Sequence, residues 1–252
     1  MTPDSLAILT YHSLDTSGSV ISTAPQAFLQ QMDNLTRLGW RGISLREAMA
    51  ARQATGRWPE RAVGLTFDDG YANMHEHALP TLARHGFTAT LFLITGHVGG
   101  RSDWAPPPPG LSLLPMLTWA QVREMAAHGI EVGAHTRTHP NLGTLPETQV
   151  TQELAGARAE IEERVGQTAE SFAYPFGSTN AVAVRVAARH FRTACTTVLR
   201  RTTSEPLHQL PRIDMYYIRT PSDLSRLLEG RLDRYLAVRR FGRAARALLQ
   251  AG

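Results

Sequence analysis

Two adjacent carboxylates, Asp68 and Asp69, follow an apolar stretch and precede Gly70. Residues 63–67 alternate large apolar with smaller side chains, which predicts a buried strand that ends at the two acids. In a β/α architecture this end of a strand is where sites are built, because the strand fixes the backbone and the following loop exposes the side chains. Adjacent carboxylates repel each other, so the pair requires a nearby cation or proton. The alternative is a structural turn in which one acid caps the next helix.

A second predicted strand, residues 130–134, leads into His135 and His139. Imidazole nitrogen and carboxylate oxygen are ordinary ligands of zinc and related divalent ions, at about 2.0–2.2 Å. The chain has 10 histidines, and most of them must be ordinary surface or core residues. A histidine pair after one strand and an aspartate pair after another still form a stronger signal than either pair alone. Together they favour a metal site with positions open for water and substrate.

The segments TFDDG at 66–70 and HTRTH at 135–139 together resemble the first two motifs of the polysaccharide deacetylases. This NodB-homology group is also called carbohydrate esterase family 4, and the resemblance runs from about residue 6 to residue 214. It implies an α/β fold, a distorted (β/α) barrel, and metal-dependent removal of acetyl groups, usually from N-acetylated sugars. It also implies that Asp68 is the general base and that Asp69, His135 and His139 hold one divalent ion. Zinc is the first expectation, with cobalt, nickel or iron as alternatives.

The segment FAYPFG at 172–177 resembles the third motif of the family, which usually begins with an arginine. Here Ala173 stands in place of that arginine, which in the family orients the base. The resemblance implies that Tyr174 and Phe176 wall the substrate site and that a main-chain N–H nearby stabilises the oxyanion. A backbone donor needs no particular side chain, so this last role does not depend on the missing arginine.

Many relatives carry a histidine near the end of the domain as general acid, but the corresponding segment here, LPRID at 210–214, has none. In the circularly permuted branch that deacetylates poly-N-acetylglucosamine, the acid histidine follows a tyrosine on an N-terminal strand. Tyr11-His12 matches that pattern, so we expect His12 to be the acid; the alternative is a buried histidine bonded to a backbone carbonyl. We also expect Arg212 to replace the missing arginine and Asp214 to orient His12. An ordinary structural ion pair is the alternative role for Arg212.

Length and composition favour a single domain, because 252 residues with 42% hydrophobic content can bury a full core. We expect a deacetylase-like barrel over residues 1–221 and a basic amphipathic helical extension over 222–252, packed on the barrel. The alternative for this extension is contact with an anionic membrane surface or a lipid-linked glycan. The only cysteine, Cys195, allows no intramolecular disulfide and is expected to be a small buried strand residue.

All 26 basic residues are arginine and the formal net charge is +4, yet no recognisable nucleic-acid-binding fold accompanies this charge. We therefore expect an N-acetylated sugar, polysaccharide or lipid-linked glycan as the partner, and no nucleic acid. As written, the chain shows neither a secretory leader nor an apolar stretch long enough to span a bilayer. It is therefore expected to be cytoplasmic, with peripheral membrane contact through the C-terminal helices as an alternative.

Local patterns place the remaining elements. We expect Ser44 to cap a helix in a capping box with Glu47, and a helix over about 146–165 to carry Glu153 on a solvated face. Between residues 96 and 117 the pattern breaks into a long loop that includes the prolines at 106–109. Within that loop Trp104 has two interpretations, as a platform for a sugar ring or as a simple anchor of the loop.

The resulting hypothesis is a metal-dependent deacetylase that hydrolyses an N-acetyl group of a sugar or glycan to a free amine and acetate. An O-acetyl esterase or another amide hydrolase is one alternative. A non-catalytic glycan-binding relative is the other, because two residues of the usual motifs are missing.

Overall fold

Eight strands form one sheet in a computed structural model that describes residues 4–104 and 113–250, with side chains to residue 242. The strands are β1 Ala7–Tyr11, β2 Arg41–Ile43, β3 Ala62–Phe67, β4 Thr90–Leu93, β5 Glu131–Ala134, β6 Ser171–Ala173, β7 Thr193–Leu199 and β8 Leu210–Asp214. Their order is β1-β8-β7-β6-β5-β4-β3-β2, and β1 also pairs with β3. That pairing closes a parallel barrel of seven strands, with β2 attached to the first half of β3. The expected (β/α) barrel is confirmed.

Helices surround this barrel. They are α1 Pro25–Arg37, α2 Leu45–Thr55, α3 Leu79–His85, α4 Trp119–Ala127, α5 Glu147–Val165, α6 Ala181–His190, α7 Pro221–Leu228 and α8 Asp233–Gln250. A turn of π-helix, Met74–Ala78, leads directly into α3. None of the described helices has the length and apolar content needed to cross a membrane.

Side chains of the strands serve two apolar layers, as expected for strands that are covered on both faces. Ile8, Phe92 and Cys195 belong to one cluster of buried apolar side chains. Leu9 and Leu91 belong to the larger cluster between the strands and the helices. Cys195 is fully buried in β7, as its sequence context predicts.

The predicted capping box at α2 is only half formed. The Ser44 hydroxyl accepts the backbone N–H of Glu47, as expected for an N-cap. The Ser44 N–H, however, donates to the hydroxyl of Thr88, and this hydroxyl in turn donates to the Glu47 carboxylate at 2.9 Å. A residue before β4 therefore takes the place that Glu47 would occupy in a complete box.

The C-terminal helices contribute to the same apolar layer as the barrel. Leu224, Leu227 and Leu228 of α7 are buried, as are Leu232 and Leu236 around the start of α8. The division into a barrel over 1–221 and a helical extension over 222–252 stays a prediction. The prolines at 106–109 lie outside the described residues.

Because the barrel strands run parallel, their carboxyl ends meet at one face. His12 follows β1, Asp68 and Asp69 follow β3, and His135 follows β5. Gly70 makes the sharp exit from β3 with φ +92°, a left-handed conformation that glycine adopts at little cost. The fold thus brings all of these side chains to one edge.

Candidate active site

Three buried side chains offer ligand atoms to a common point at this edge. Asp69 Oδ1 lies 3.4 Å from His135 Nε2 and 3.6 Å from His139 Nε2, and the two imidazole nitrogens are 3.2 Å apart. Two ligand atoms at about 2.1 Å from one ion with tetrahedral angles are about 3.4 Å apart. The cluster of Asp69, His135 and His139 therefore fits a divalent metal ion.

The orientation of His135 supports this fit. Its Nδ1 is 2.7 Å from the main-chain oxygen of Ala173, an acceptor, so the proton of the neutral ring sits on Nδ1 and Nε2 keeps its lone pair. Metal-binding histidines are usually held in this way, by a carbonyl on the far ring nitrogen. The lone pair of His135 then faces the other ligand atoms across a space that a cation would fill.

The loop between the two histidines is anchored by Glu153, which was expected on a solvated face of α5. Its carboxylate accepts the main-chain N–H groups of Arg137 and Thr138, at 2.8 and 2.9 Å, and the Thr138 hydroxyl at 2.8 Å. Glu153 is part-exposed, as expected for a surface position of α5, but the loop after β5 folds back over this position of the helix. Glu153 therefore fixes the backbone between the two histidines.

The electrostatics of the cluster favour one shared positive charge. Burial raises the pKa of Asp69, but the contact with His135 and the other neighbouring imidazoles outweigh burial and hold that pKa well below its usual range. Burial and the neighbouring His135 lower the pKa of His139 to about 3. For His135, burial lowers the pKa, but the two carboxylates of Asp68 and Asp69 raise it more. The two imidazoles thus do not both accept a proton, whereas a metal ion satisfies both.

Backbone strain is concentrated at the same place. Five non-glycine residues of the described chain have positive φ, and four of them are Asp69, Thr136, His139 and Phe176, with φ between 57° and 71°. This left-handed conformation costs free energy for residues with a side chain and persists where the surrounding structure imposes it. Such clustering is typical of functional sites.

Asp68, the expected base, is held by Arg212 across the barrel. The guanidinium donates through Nη1 to one carboxylate oxygen at 2.6 Å and through Nη2 to the other at 2.7 Å. Arg212 also donates to the Thr196 carbonyl and the Thr66 hydroxyl. Burial raises the pKa of Asp68, but the guanidinium lowers it more, so the carboxylate is ionised at neutral pH.

His12 lies on the other side of Asp68, with its Nε2 3.8 Å from Asp68 Oδ2 and its side chain 23% exposed. This distance exceeds that of a direct hydrogen bond. Asp214 lines the same small cavity as His12, but its carboxylate accepts the main-chain N–H of Tyr216 at 2.9 Å. Within the described residues no hydrogen bond joins Asp214 to His12, so the expected orienting contact is not seen.

Aromatic side chains border the cluster on the side of His139. The Phe176 ring, on a side chain that is 60% exposed, meets the His139 ring edge to face at a centroid distance of 4.6 Å. Trp104 lies 5.4 Å from the same imidazole and also packs on His97. Both residues are therefore positioned to contact a bound substrate. The two interpretations of Trp104 coincide, because the indole anchors its loop directly against the site.

Tyr174 does not belong to this wall. Its ring is fully buried against Phe172, and its hydroxyl donates to the carbonyl of His208 at 3.0 Å. The expectation of a wall role was wrong, because β6 directs this side chain into the apolar layer. Its main-chain N–H is also engaged, by the carbonyl of Cys195. In the described part of the chain, the N–H of Phe176 has no hydrogen-bond acceptor.

Comparison with known proteins agrees with this arrangement. The sequence profile of the family described as polysaccharide deacetylase matches residues 55–194, which contain all three proposed metal ligands and Asp68. The chain belongs to the polysaccharide deacetylase family. Members of this family are metal-dependent hydrolases.

Three relatives of this family member show how far the similarity extends. YxkH of Bacillus subtilis is 30% identical over 185 residues, which cover 73% of this chain and 61% of YxkH. The poly-beta-1,6-N-acetyl-D-glucosamine N-deacetylase of Staphylococcus aureus is 28% identical over 134 residues, half of this chain and 43% of that enzyme. The structure of the Streptococcus pyogenes deacetylase PplD in complex with acetate superposes with a TM-score of 0.77 at 25% identity, covering 89% of this chain and 98% of that chain.

The chain thus spans less than two thirds of the length of these curated relatives. The fold brings most of the predicted site residues of this deacetylase-family member together. They are Asp68, Asp69, His12, His135, His139, Phe176, Trp104 and Arg212. Glu153 was missed, and only its position on the helix after the histidine loop could have indicated it.

Proposed function

We propose that this chain hydrolyses the N-acetyl group of an N-acetylated glycan to free amine and acetate. The reaction uses one bound divalent ion, and zinc is the first metal to test. The observation that carries the proposal is the ionised Asp68 carboxylate, clamped by Arg212 at 2.6 and 2.7 Å beside the cluster of Asp69, His135 and His139. A base beside a metal site supplies the groups that metal-assisted amide hydrolysis requires. When bound, the metal supplies Lewis acidity toward the acetyl carbonyl and its attacking water.

In this proposal Asp68 accepts the proton of the attacking water, a role that typically contributes about 10²–10⁴-fold in rate. Arg212 keeps the carboxylate ionised and fixes its orientation, which replaces the arginine that is absent at Ala173. The Phe176 N–H is the backbone donor for the oxyanion. His12, on the other side of Asp68, delivers the proton that the leaving amine needs.

The aromatic side chains that border the site favour a glycan over a small amide as substrate. Phe176 and Trp104 both present aromatic surface beside His139, and a sugar ring has an apolar face that packs on such surfaces. The relative from Staphylococcus aureus acts on poly-beta-1,6-N-acetyl-D-glucosamine. We propose a polymer of N-acetylglucosamine type as the first substrate to test.

Two alternatives make different predictions. An O-acetyl esterase needs no protonation of a leaving amine, so it would not depend on His12. One reason to consider a non-catalytic glycan-binding relative is the missing motif arginine. Because Arg212 supplies a guanidinium beside Asp68, this reason no longer applies.

The deciding experiment is acetate release from N-acetylated and O-acetylated glycans by metal-loaded enzyme, by chelated enzyme, and after zinc, cobalt, nickel or iron is added back. We expect release from the N-acetylated polymer that disappears with chelation and returns with one metal. The Asp68→Asn variant is the matched control, since the amide has similar volume but accepts no proton. Absence of release from every substrate with every metal would leave the binding protein as the better description.

The exposed face of α8 supports peripheral contact with an anionic membrane. The side chains of Val238 and Phe241 are 70% and 69% exposed, three positions apart and therefore neighbours on the helix surface. Arg234 and Arg240 flank them, and residues 234–250 include no acidic residue. An apolar strip with flanking cations fits the interface of an anionic bilayer.

This contact is tested by sedimentation with vesicles of phosphatidylglycerol and, separately, of phosphatidylcholine. We expect binding to the first only, weakened in Val238→Ser/Phe241→Ser. Leu207→Ser, which changes an exposed apolar residue elsewhere, is the control. If the wild type and both variants sediment equally with anionic vesicles, binding depends on the overall positive charge of the protein and not on Val238 and Phe241.

A further inference from the structure

A cavity of about 460 Å³ lies at the end of the barrel opposite the metal cluster. Its lining includes residues that come just before strands: Ser5 before β1, Trp40 before β2 and Arg61 before β3. In a parallel barrel these amino-terminal ends share one face, and the carboxyl ends that carry the active site share the other. The cavity is therefore separate from the deacetylase centre.

The lining of this cavity is rich in arginine. Arg57, Arg61 and Arg201 line it together with two acidic residues, Asp4 and Glu60. The three guanidinium groups outnumber the two carboxylates. The balance of charge inside the cavity therefore favours an anion.

Arg201 is the most informative of these arginines, since its side chain is only 12% exposed. One terminal nitrogen donates to the carbonyl of Leu227, and Nε is buried without a hydrogen-bond acceptor in the described part of the chain. The carboxylate of Asp233 is 3.7 Å from Nε, too distant for a hydrogen bond. Burial lowers the pKa of Arg201, as expected for a guanidinium whose charge is incompletely compensated. The other terminal nitrogen, Nη1, has no acceptor in the described part of the chain, and a planar or tetrahedral oxyanion would supply one.

Backbone strain points to the same cavity. Arg61 has φ +47° and is the one non-glycine residue of positive φ, among those described, that lies outside the metal site and its walls. Residues held in this conformation are concentrated at functional sites. The strained backbone of Arg61 therefore marks this cavity independently of the charge of its lining.

The other residues that line the cavity indicate which chemical group the ligand carries besides its anion. Trp40 is half-buried, and Trp58 and Leu228 are buried beside it. Trp58 is held in place by its indole N–H, which donates to the carbonyl of Thr203 at 2.9 Å. Apolar ring surface next to guanidinium groups suits a molecule that joins a ring to an anionic group.

We propose that this cavity binds the phosphoryl group of a small ring-bearing phosphate ester, of the sugar phosphate class, with Arg201 and Arg57 as the phosphate-binding residues. The ring of the ester packs against the tryptophan side of the cavity. The site is independent of acetyl hydrolysis and stands whether or not that activity is found.

The test is calorimetric titration of the full chain after chelation, so that phosphate has no metal to bind. The probes are N-acetylglucosamine 1-phosphate, inorganic phosphate and N-acetylglucosamine. We expect the sugar phosphate to bind more tightly than inorganic phosphate and much more tightly than the uncharged sugar. Arg201→Gln and Arg57→Gln should each weaken binding of the sugar phosphate about tenfold or more, because each removes charged hydrogen bonds.

Two controls keep the test specific. Arg84→Gln removes an exposed arginine of α3 and should leave the affinity unchanged. Asp69→Ala, at the opposite end of the barrel, should also leave it unchanged. Arg57 is exposed, so its variant is expected to fold even if Arg201→Gln does not. The proposal is overturned if neither phosphate compound binds, if Asp69→Ala abolishes binding, or if Arg84→Gln weakens it as much as Arg57→Gln.

Discussion

Arg212 donates hydrogen bonds from both terminal nitrogens to the two carboxylate oxygens of Asp68, at 2.6 and 2.7 Å. Its strand lies two places away around the barrel from the strand that leads to Asp68. Asp68 follows β3 and Arg212 belongs to β8, with β1 between them. The family motif usually places this guanidinium at the position of Ala173, on β6. The same kind of contact is thus made from a different strand, and Asp68, the proposed base, has a guanidinium partner although the motif is incomplete.

A first prediction concerns this pair. Arg212→Met should lower kcat by about 10²-fold or more, because Asp68 loses both its orientation and the charge that keeps it ionised. It should also lower the free energy of unfolding by about 3–5 kcal/mol, because it leaves a buried carboxylate unpaired. Steady-state kinetics and urea denaturation measure the two effects. Arg212→Met/Asp68→Asn is the matched control: we expect it to recover much of the stability and none of the activity.

The pH dependence of stability follows from the same contact. The pKa of Asp68 in the folded protein is depressed below its ordinary value of 3.8. A group with a depressed folded pKa contributes stability above its unfolded pKa and loses it as the pH falls through the folded value. Between pH 7 and pH 3, with chelator present, the wild type should therefore lose more unfolding free energy than Asp68→Asn. Parallel curves for the two proteins would show that this pair is not the source.

Metal content is the third prediction. Substitution of Asp69, His135 or His139 by alanine should lower bound metal sharply without unfolding the barrel, because each removes one of the three proposed ligands. Elemental analysis of purified variants measures it, with circular dichroism as the check on folding. His75→Ala is the control, since His75 contacts Glu124 away from the cluster. Stoichiometric metal in all three ligand variants would place the ion elsewhere.

Glu153 gives a fourth prediction, which only the structure suggests. Glu153→Gln weakens the acceptor of two main-chain N–H groups in the loop between the histidines, so the loop should lose its fixed geometry. Loss of such outer contacts commonly costs 10–100-fold in metal affinity. Competition with a chromophoric chelator measures that affinity. Glu163→Gln changes an exposed carboxylate on the same helix and should have no effect.

The contrast between Arg212 and Glu153 shows what could be predicted from the sequence. Parallel strands bring their carboxyl ends together, so acids and histidines at those ends could be assigned to one site by position alone. For Arg212 a structural ion pair remained an equal alternative, because its contact with Asp68 crosses an intervening strand. Glu153 could not be predicted, since its role depends on how a loop folds back on a helix. Tyr174 was misassigned because the motif does not tell which way each aromatic side chain points after the end of β6.

The last prediction separates an amide hydrolase from the alternatives through His12. An amine anion is a very poor leaving group, so amide cleavage needs a proton donor, whereas an activated acetate ester leaves without one. The imidazole Nε2 lies 3.8 Å from Asp68 and its side chain is 23% exposed, so it can reach both the site and solvent. His12→Ala should therefore reduce acetate release from N-acetylglucosamine oligomers by about 10²-fold or more, and hydrolysis of 4-nitrophenyl acetate only slightly. Metal content should stay at the wild-type level in this variant, and Asp68→Asn should lose both reactions. Equal losses on the two substrates would show that His12 acts through the structure of the site, and the leaving amine would then need a different proton donor.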